Sequence, residues 1–158
     1  MQALDHLDLA QIVVQATTEI YDTMIMADIQ TNAPLAEPIK DFTRYVSGIV
    51  GLAGLCQGML AIHAPEKVAM GITTDFLGME VESMDDDVKD AISELANMVG
   101  GSVKPVLSPN GKDIQLSLPS VFHGDYTVKY FTQAYWVVVP FTISSGQFYV
   151  ELQLRRND

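Results

Sequence analysis

The chain has 158 residues, of which 48% are apolar, and this length is sufficient for one domain with a buried core. Nine basic residues against twenty acidic ones give a net charge of −11, which would repel both a phosphate backbone and an anionic lipid surface. We therefore expect no nucleic-acid and no membrane partner. There is no run of eighteen apolar residues and no cleavable leader pattern, so a cytoplasmic protein is expected.

The first half of the chain predicts two helices around a hairpin. Apolar residues recur on one side of residues 5–30 and predict a long first helix, which ends before a loop with two prolines over residues 31–41. The tract Phe42–His63 is rich in Val, Ile and Gly, and a break near Gly54 divides it into two strands. Pro65 is expected to begin a short helix that runs to about Phe76.

The clearest helix in the sequence is Asp85–Gly101. Three acidic residues at its start suit the positive end of the helix dipole, and Gly100-Gly101 followed by Pro105 predicts its end. One apolar stripe runs along it, formed by Val88, Ala91, Ile92, Leu95 and Val99.

Four strands are predicted after this helix, at residues 114–118, 126–133, 135–143 and 147–154. In the last strand alternation places one set inward, Phe148, Val150, Leu152 and Leu154, and the other outward, Tyr149, Glu151 and Gln153. The expected fold class is α+β, with long helices packed on a largely antiparallel sheet.

The two long helices also resemble each other in sequence. A shift of 75 residues aligns Val13, Glu19 and Asp22 with Val88, Glu94 and Asn97. Each helix therefore carries an acidic and a short polar residue at the same angles to an apolar stripe, and each is followed by strands. We interpret the chain as two pseudo-repeated helix-plus-strand units.

The polar face of the third helix is a candidate site. Glu94 and Asn97 are i, i+3 neighbours, with Cβ atoms about 5–6 Å apart, and could act on one small target. Asn is a poor residue for a helix interior, which gives its position some weight. On the pattern alone, however, an ordinary solvated face remains the better interpretation.

A longer motif changes this interpretation. Asp90-x-x-x-Glu94-x-x-Asn97, followed by Met98-Val99-Gly100-Gly101 and by Pro119 further on, resembles the signature of the CheC/CheX/FliM family, specifically the CheX-type chemotaxis phosphatases. Residues 16–24 look like the first helix of such proteins, and residues 116–121 look like the strand after their active helix. The resemblance spans most of the chain and implies a single CheX-like domain over residues 1–158, built from pseudo-repeats.

This resemblance implies a protein aspartyl-phosphate phosphatase acting on a CheY-like receiver domain. Asn97 would orient the attacking water, and Glu94 would engage the lysine of the receiver. Gly101 would let the partner backbone approach, and Asp90 would add an auxiliary contact. Mg²⁺ is expected on the receiver and no cofactor on this chain. A homodimer is also implied, and an uncovered edge at the C-terminal strands points the same way.

Two rival functions remain open. One is a non-catalytic module that docks receiver domains or flagellar-switch components, and the other is an unrelated small-molecule sensor. A metal site is not expected, because His6, His63 and His123 are widely separated and lack neighbouring ligands. Cys56 is the only cysteine and is expected to be a buried thiol.

Overall fold

The computed structural model describes residues 8–129 and 133–156. Helix α1 (Leu9–Ile20) runs directly into a π-helical turn (Tyr21–Ile25), and the other helices are α2 (Glu66–Leu77) and α3 (Asp86–Leu107). The strands are β1 (Gln30–Thr31), β2 (Asp41–Gly54), β3 (Cys56–Pro65), β4 (Ile114–Leu116), β5 (Ser120–Thr127), β6 (Tyr135–Ile143) and β7 (Gly146–Arg156).

The strands form one antiparallel sheet in the order β1-β6-β7-β3-β2-β4, and β5 pairs with β2 along the same side as β4. The three helices of the described residues pack against this sheet. The predicted α+β fold class and the hairpin of β2 and β3 are thus confirmed. Within the described residues there is no helix with the length and apolar character needed to cross a membrane.

Close contact between α3 and β2 sets the position of the third helix. A Cβ atom at Gly48 would lie only 2.7 Å from the carbonyl oxygen of Ile92, so the helix backbone rests almost directly on the strand. About two turns further along the helix, a Cβ atom at Gly100 would lie 3.6 Å from Val50. The apolar stripe of α3 is fully buried, and each of its large side chains contributes about 1.5–3 kcal/mol of stabilisation.

Two predicted helix ends are wrong. Helix α3 continues through Gly100-Gly101 and Pro105 to Leu107, because Gly100, Val103 and Leu107 are buried against the sheet and packing outweighs the local stop signal. The long first helix ends at Ile25 instead of residue 30, because the next residue, Met26, adopts a left-handed conformation. Its predicted residues 5–7 lie outside the described part of the chain.

The strands after α3 also differ from the prediction. The strand expected at 126–133 is observed at Ser120–Thr127, and residues 130–132 lie outside the description. The C-terminal strand β7 lies between β3 and β6, and β1 pairs with the outer side of β6, so an edge left uncovered at the C-terminal strands is not what the structure shows. Glu151 and Gln153 are buried instead of facing solvent, and Glu151 pairs there with the equally buried His63. Cys56 is buried, as expected, at the start of β3.

Candidate active site on the third helix

A row of three polar residues and one glycine lies along the outer face of α3. Asp90, Glu94, Asn97 and Gly101 follow one another at intervals of four, three and four residues, and all four are exposed. Within the described residues, the side chains of Asp90, Glu94 and Asn97 have no hydrogen-bond or ion-pair partner. The sequence prediction that these residues share one accessible face is therefore met by the geometry.

The N-terminus of α3 is fixed by a cap and by its dipole. The side chain of Asp85 accepts a hydrogen bond from the backbone N–H of Val88 at 3.3 Å, and Asp86 and Asp87 lie in the first turn. The exposed row is therefore mounted on a capped helix whose opposite side is buried. Such a support holds Glu94 and Asn97 at a constant separation, which a positioning role requires.

The chemistry of the row is that of a ligand for a polar, partly cationic target. The carboxamide of Asn97 offers an acceptor oxygen and two N–H donors without net charge, whereas the carboxylate of Glu94 only accepts. A lysine ammonium can therefore pair with Glu94 while a water molecule bonds to Asn97 one turn away. Apart from its own turn of helix, no atom of the described residues lies within 4 Å of the position that a Cβ at Gly101 would take, so the helix surface is open there.

The corresponding residues of α1 do not reproduce this arrangement. Glu19 and Asp22 are both exposed, but Asp22 lies in the π-helical turn, where the backbone N–H of Met26 donates to Tyr21 over five residues. A π turn holds more residues than an α turn, so the angle between Glu19 and Asp22 differs from that between Glu94 and Asn97. The buried ring of Tyr21, stacked on Phe148, occupies the inner side of this turn.

The structure contains a second row of polar residues, which the sequence did not predict. It crosses four neighbouring strands inside the sheet: Tyr126 O–H donates to Ser47 Oγ at 2.5 Å, Ser47 Oγ and His63 Nδ1 are 2.6 Å apart, and His63 Nε2 and Glu151 Oε1 are 2.9 Å apart. Gln153 Nε2 donates to the other carboxylate oxygen at 3.4 Å. Ser47, His63, Glu151 and Gln153 are all at most 1% exposed.

A bulge in β2 covers this buried row. Between Phe42 and Tyr45 strand β2 advances by three residues while its partner β5 advances by two, and Arg44 has a φ of 56°. The extra residue changes the face of the sheet on which Phe42 lies. Phe42 therefore shares a face with His63 and stacks on its ring at 4.4 Å between centroids. Burial raises the pKa of the Tyr126 hydroxyl, although its bond to Ser47 opposes this. Because substrate cannot reach it, the row is structural.

Other parts of the described chain are less suited to chemistry. No group of three or more potential metal-ligating side chains occurs in residues 8–129 and 133–156. An open depression of about 720 Å³ lies between α2 and the β6–β7 turn, with Lys67, Asp75 and Glu80 among its lining residues. Burial raises the pKa of Asp75. This depression shares no residue with the row on α3.

Comparisons with known proteins point to one protein family. Residues 46–142, more than half of the chain, match the family model "Chemotaxis phosphatase CheX". The "CheY-P phosphatase CheX" of Thermotoga maritima is 25% identical over 127 residues, which cover 77% of this chain and 82% of that protein.

Solved structures extend the likeness to the whole fold. The chemotaxis protein CheX from Desulfovibrio desulfuricans is 27% identical with a TM-score of 0.80, and the alignment covers 94% of this chain and all of that one. The CheX of the CheX–CheY–BeF₃–Mg²⁺ complex from Borrelia burgdorferi is 20% identical with a TM-score of 0.76, over 96% of this chain and 100% of that one, and shares the fold.

Proposed function

Since this chain belongs to the CheX family of chemotaxis phosphatases, we propose that it hydrolyses the aspartyl phosphate of a CheY-like receiver domain. The observation that carries the proposal is the pair Glu94 and Asn97. Both side chains are exposed and unpaired on a helix whose other side is buried. A side chain that is held in place but has no partner within its own fold is suited to a partner supplied from outside.

Hydrolysis requires little from the phosphatase itself. Phosphoryl transfer is catalysed mainly by positioning and by electrostatic stabilisation, and the receiver would bring its own carboxylates, Mg²⁺ and lysine. The part still needed is a water molecule in line with the P–O bond. The oxygen of that water bonds to phosphorus while the bond to the aspartyl oxygen breaks. The products are aspartate and inorganic phosphate, which keeps both protons of the water.

Asn97 is the residue that would hold this water. Its carboxamide oxygen accepts a hydrogen bond from the water without adding negative charge beside the phosphoryl group. A carboxylate at this position would repel the phosphoryl oxygens: two unit charges about 4 Å apart at an effective dielectric of about 20 repel by roughly 4 kcal/mol. Asn is therefore better suited than Asp to this place on α3.

Glu94 would fix the register of the complex by pairing with the lysine of the receiver. A charge-assisted bond of this kind adds to both capture and orientation. Asp90, one turn before Glu94, would extend the acidic contact, and Gly101 would admit the partner backbone where no side chain stands. Mg²⁺ belongs to the receiver in this proposal, and the Borrelia complex of CheX with CheY also contains BeF₃ and Mg²⁺.

The rival reading is a docking module without catalysis. Such a module needs an exposed face but not an amide at the centre of it, and the unpaired Asn97 favours the phosphatase. The deciding experiment is a phosphate-release assay with a phosphorylated CheY-type receiver and the purified protein. We expect release above the rate of the receiver alone. Binding of the receiver without any acceleration would support the docking module.

We also propose that the chain forms a homodimer, but through a different edge from the one expected. Among the described strands β5 is paired on one side only, with β2, and most of its side chains are exposed or half-buried. Unprotected strand edges tend to pair with another chain. Light scattering at micromolar concentration should give twice the chain mass of 17.3 kDa; a monomer mass would rule the dimer out.

A further inference from the structure

Leu118 is more exposed than any other large apolar side chain in the described residues. It is 88% exposed, compared with 63% for Met24 at the end of the first helix. It lies in the short connection between β4 and β5, which also contains Pro119. A lone exposed leucine needs no explanation by itself. Leu118 differs from such a residue because it lies close to α3 and because hydrogen bonds restrain its backbone.

The connection that carries Leu118 runs beside the middle of α3. At its start, Leu116 Cδ1 lies 3.9 Å from the position that a Cβ atom at Gly100 would take. Past its end, Val121 is paired with Gly48, the residue on which Ile92 of α3 rests. Leu118 therefore stands level with the part of α3 between residues 92 and 100.

Asn97 lies on the side of α3 that faces this connection. Helix residues are about 100° apart, so Asn97 lies about 60° from Gly100 in one direction and Ala96 about 40° in the other. Ala96 points down to β2, where its Cβ would be 3.2 Å from a Cβ atom at Gly48. The direction from Ala96 through Gly100 to Asn97 therefore leads toward β4 and the connection.

Hydrogen bonds hold the connection in one conformation. The backbone N–H of Gly51 donates to Ser117 Oγ at 2.8 Å, and Ser117 Oγ donates to the carbonyl of Leu118 at 2.9 Å. The backbone N–H of Ser117 donates to the carbonyl of Gly51, also at 2.9 Å. With Pro119 fixing its own φ, the backbone at the exposed leucine loses little freedom when a partner covers it.

We infer that Leu118 is an apolar anchor of the receiver-docking surface, next to the water-holding Asn97. This inference rests on the proposed function and names a further residue of the same interface. The occupant is the receiver domain, because Leu118 continues the face on which Glu94 and Asn97 stand. Gly101 and the exposed Pro105 add an uncharged surface on the same end of α3.

The docking surface is thereby divided at Asn97. Toward the helix N-terminus lie the exposed carboxylates of Asp86, Asp90 and Glu94, which suit the lysine of a receiver. Toward the other end lie Gly101, Pro105 and Leu118, which suit an uncharged part of the receiver surface. An interface with a desolvated apolar anchor beside charged groups is the usual arrangement of specific complexes.

The test is a Leu118→Ser variant, with Met24→Ser as its control. Both changes shorten an exposed apolar side chain, but Met24 lies in the π-helical turn, outside the proposed surface. Affinity is measured by titration with a CheY-type receiver loaded with BeF₃ and Mg²⁺, and turnover by phosphate release from the phosphorylated receiver. For Leu118→Ser we expect about tenfold weaker binding and a KM raised by a similar factor.

The kcat of Leu118→Ser should stay within about twofold, because the residue contacts the partner and not the reacting atoms. Met24→Ser should match wild type in both measurements. Unchanged binding by Leu118→Ser, or an equal loss in Met24→Ser, would overturn the anchor while leaving the phosphatase activity in place. A wild-type protein that neither binds nor dephosphorylates the receiver would overturn both proposals together.

Discussion

Two rows of polar residues in this protein use similar side chains for opposite purposes. The row on α3, with Glu94 and Asn97, is exposed and has no partner within the described residues. The row inside the sheet, with Ser47, His63 and Glu151, is buried, and each side chain is hydrogen-bonded to the next. A buried carboxylate has to be paired, because an unpaired one would cost several kcal/mol.

The difference shows where this fold can accommodate function. Removing a member of the buried row takes one hydrogen-bond partner from each of its neighbours at a buried position, so we expect its loss to destabilise the protein. Removing a member of the exposed row leaves water in its place and costs the fold almost nothing.

The largest effect is expected from Glu151→Ala in the buried row. His63 Nε2 and Gln153 Nε2 would both lose the carboxylate as a hydrogen-bond acceptor at a buried site, at a cost of about 3–5 kcal/mol in the free energy of unfolding. Urea unfolding with an unchanged m-value measures this loss. Glu151→Gln keeps an acceptor for His63 and should be milder. A loss below about 1 kcal/mol in Glu151→Ala would mean that the buried row does not stabilise the sheet.

Next is Asn97→Ala, which should lower kcat for receiver dephosphorylation by about 10²-fold, or roughly 2.7 kcal/mol in activation free energy. Since Asn97 is exposed, its unfolding free energy should stay within about 0.5 kcal/mol of wild type. Phosphate release under saturating receiver gives the first quantity and urea unfolding gives the second. Near-full activity of the variant would exclude the water-holding role.

A smaller effect is expected for Glu94, whose proposed lysine contact forms before the chemical step. Glu94→Ala should raise KM by about tenfold, and Glu94→Lys should raise it further through repulsion of the receiver lysine. Steady-state kinetics over a range of receiver concentrations separates KM from kcat. The docking role would be wrong if both variants kept the KM of the wild type.

The smallest effect is expected from Glu19→Ala on α1. Glu19 aligns with Glu94 in sequence, but its neighbour Asp22 is a carboxylate and lies in the π-helical turn. We therefore expect phosphatase activity within about twofold of wild type, measured beside Glu94→Ala under the same conditions. If both variants lost activity equally, α1 would have to be counted as a second active helix.

Much of the exposed row could be predicted from the sequence, because helical periodicity identifies which side of α3 is polar. The end of that helix could not be predicted. Gly100-Gly101 is a local stop signal, but its first glycine packs on Val50, a contact that depends on the tertiary fold. The sequence likewise gave no sign of the π-helical turn, so the repeat between α1 and α3 is closer in sequence than in geometry.

The buried row lay beyond prediction for a different reason. Alternation along β7 distinguishes two faces of the strand but does not say whether the polar face is solvated. Here Glu151 is paired with His63, which lies 88 positions earlier in the chain. The ring of Phe42 covers His63, and a bulge in β2 places it there. None of these contacts is local. A register between distant strands has to be known first.

The burial of Cys56 has a practical consequence for labelling. It is the only thiol of the chain, it is fully enclosed in the core, and burial raises its pKa and so suppresses the reactive thiolate. A maleimide dye added to the folded protein would therefore react with an introduced surface cysteine and leave the native one unmodified. With Asp90→Cys, a single fluorophore would stand at the rim of the exposed row and could report the arrival of a receiver in real time, without any prior removal of a native cysteine.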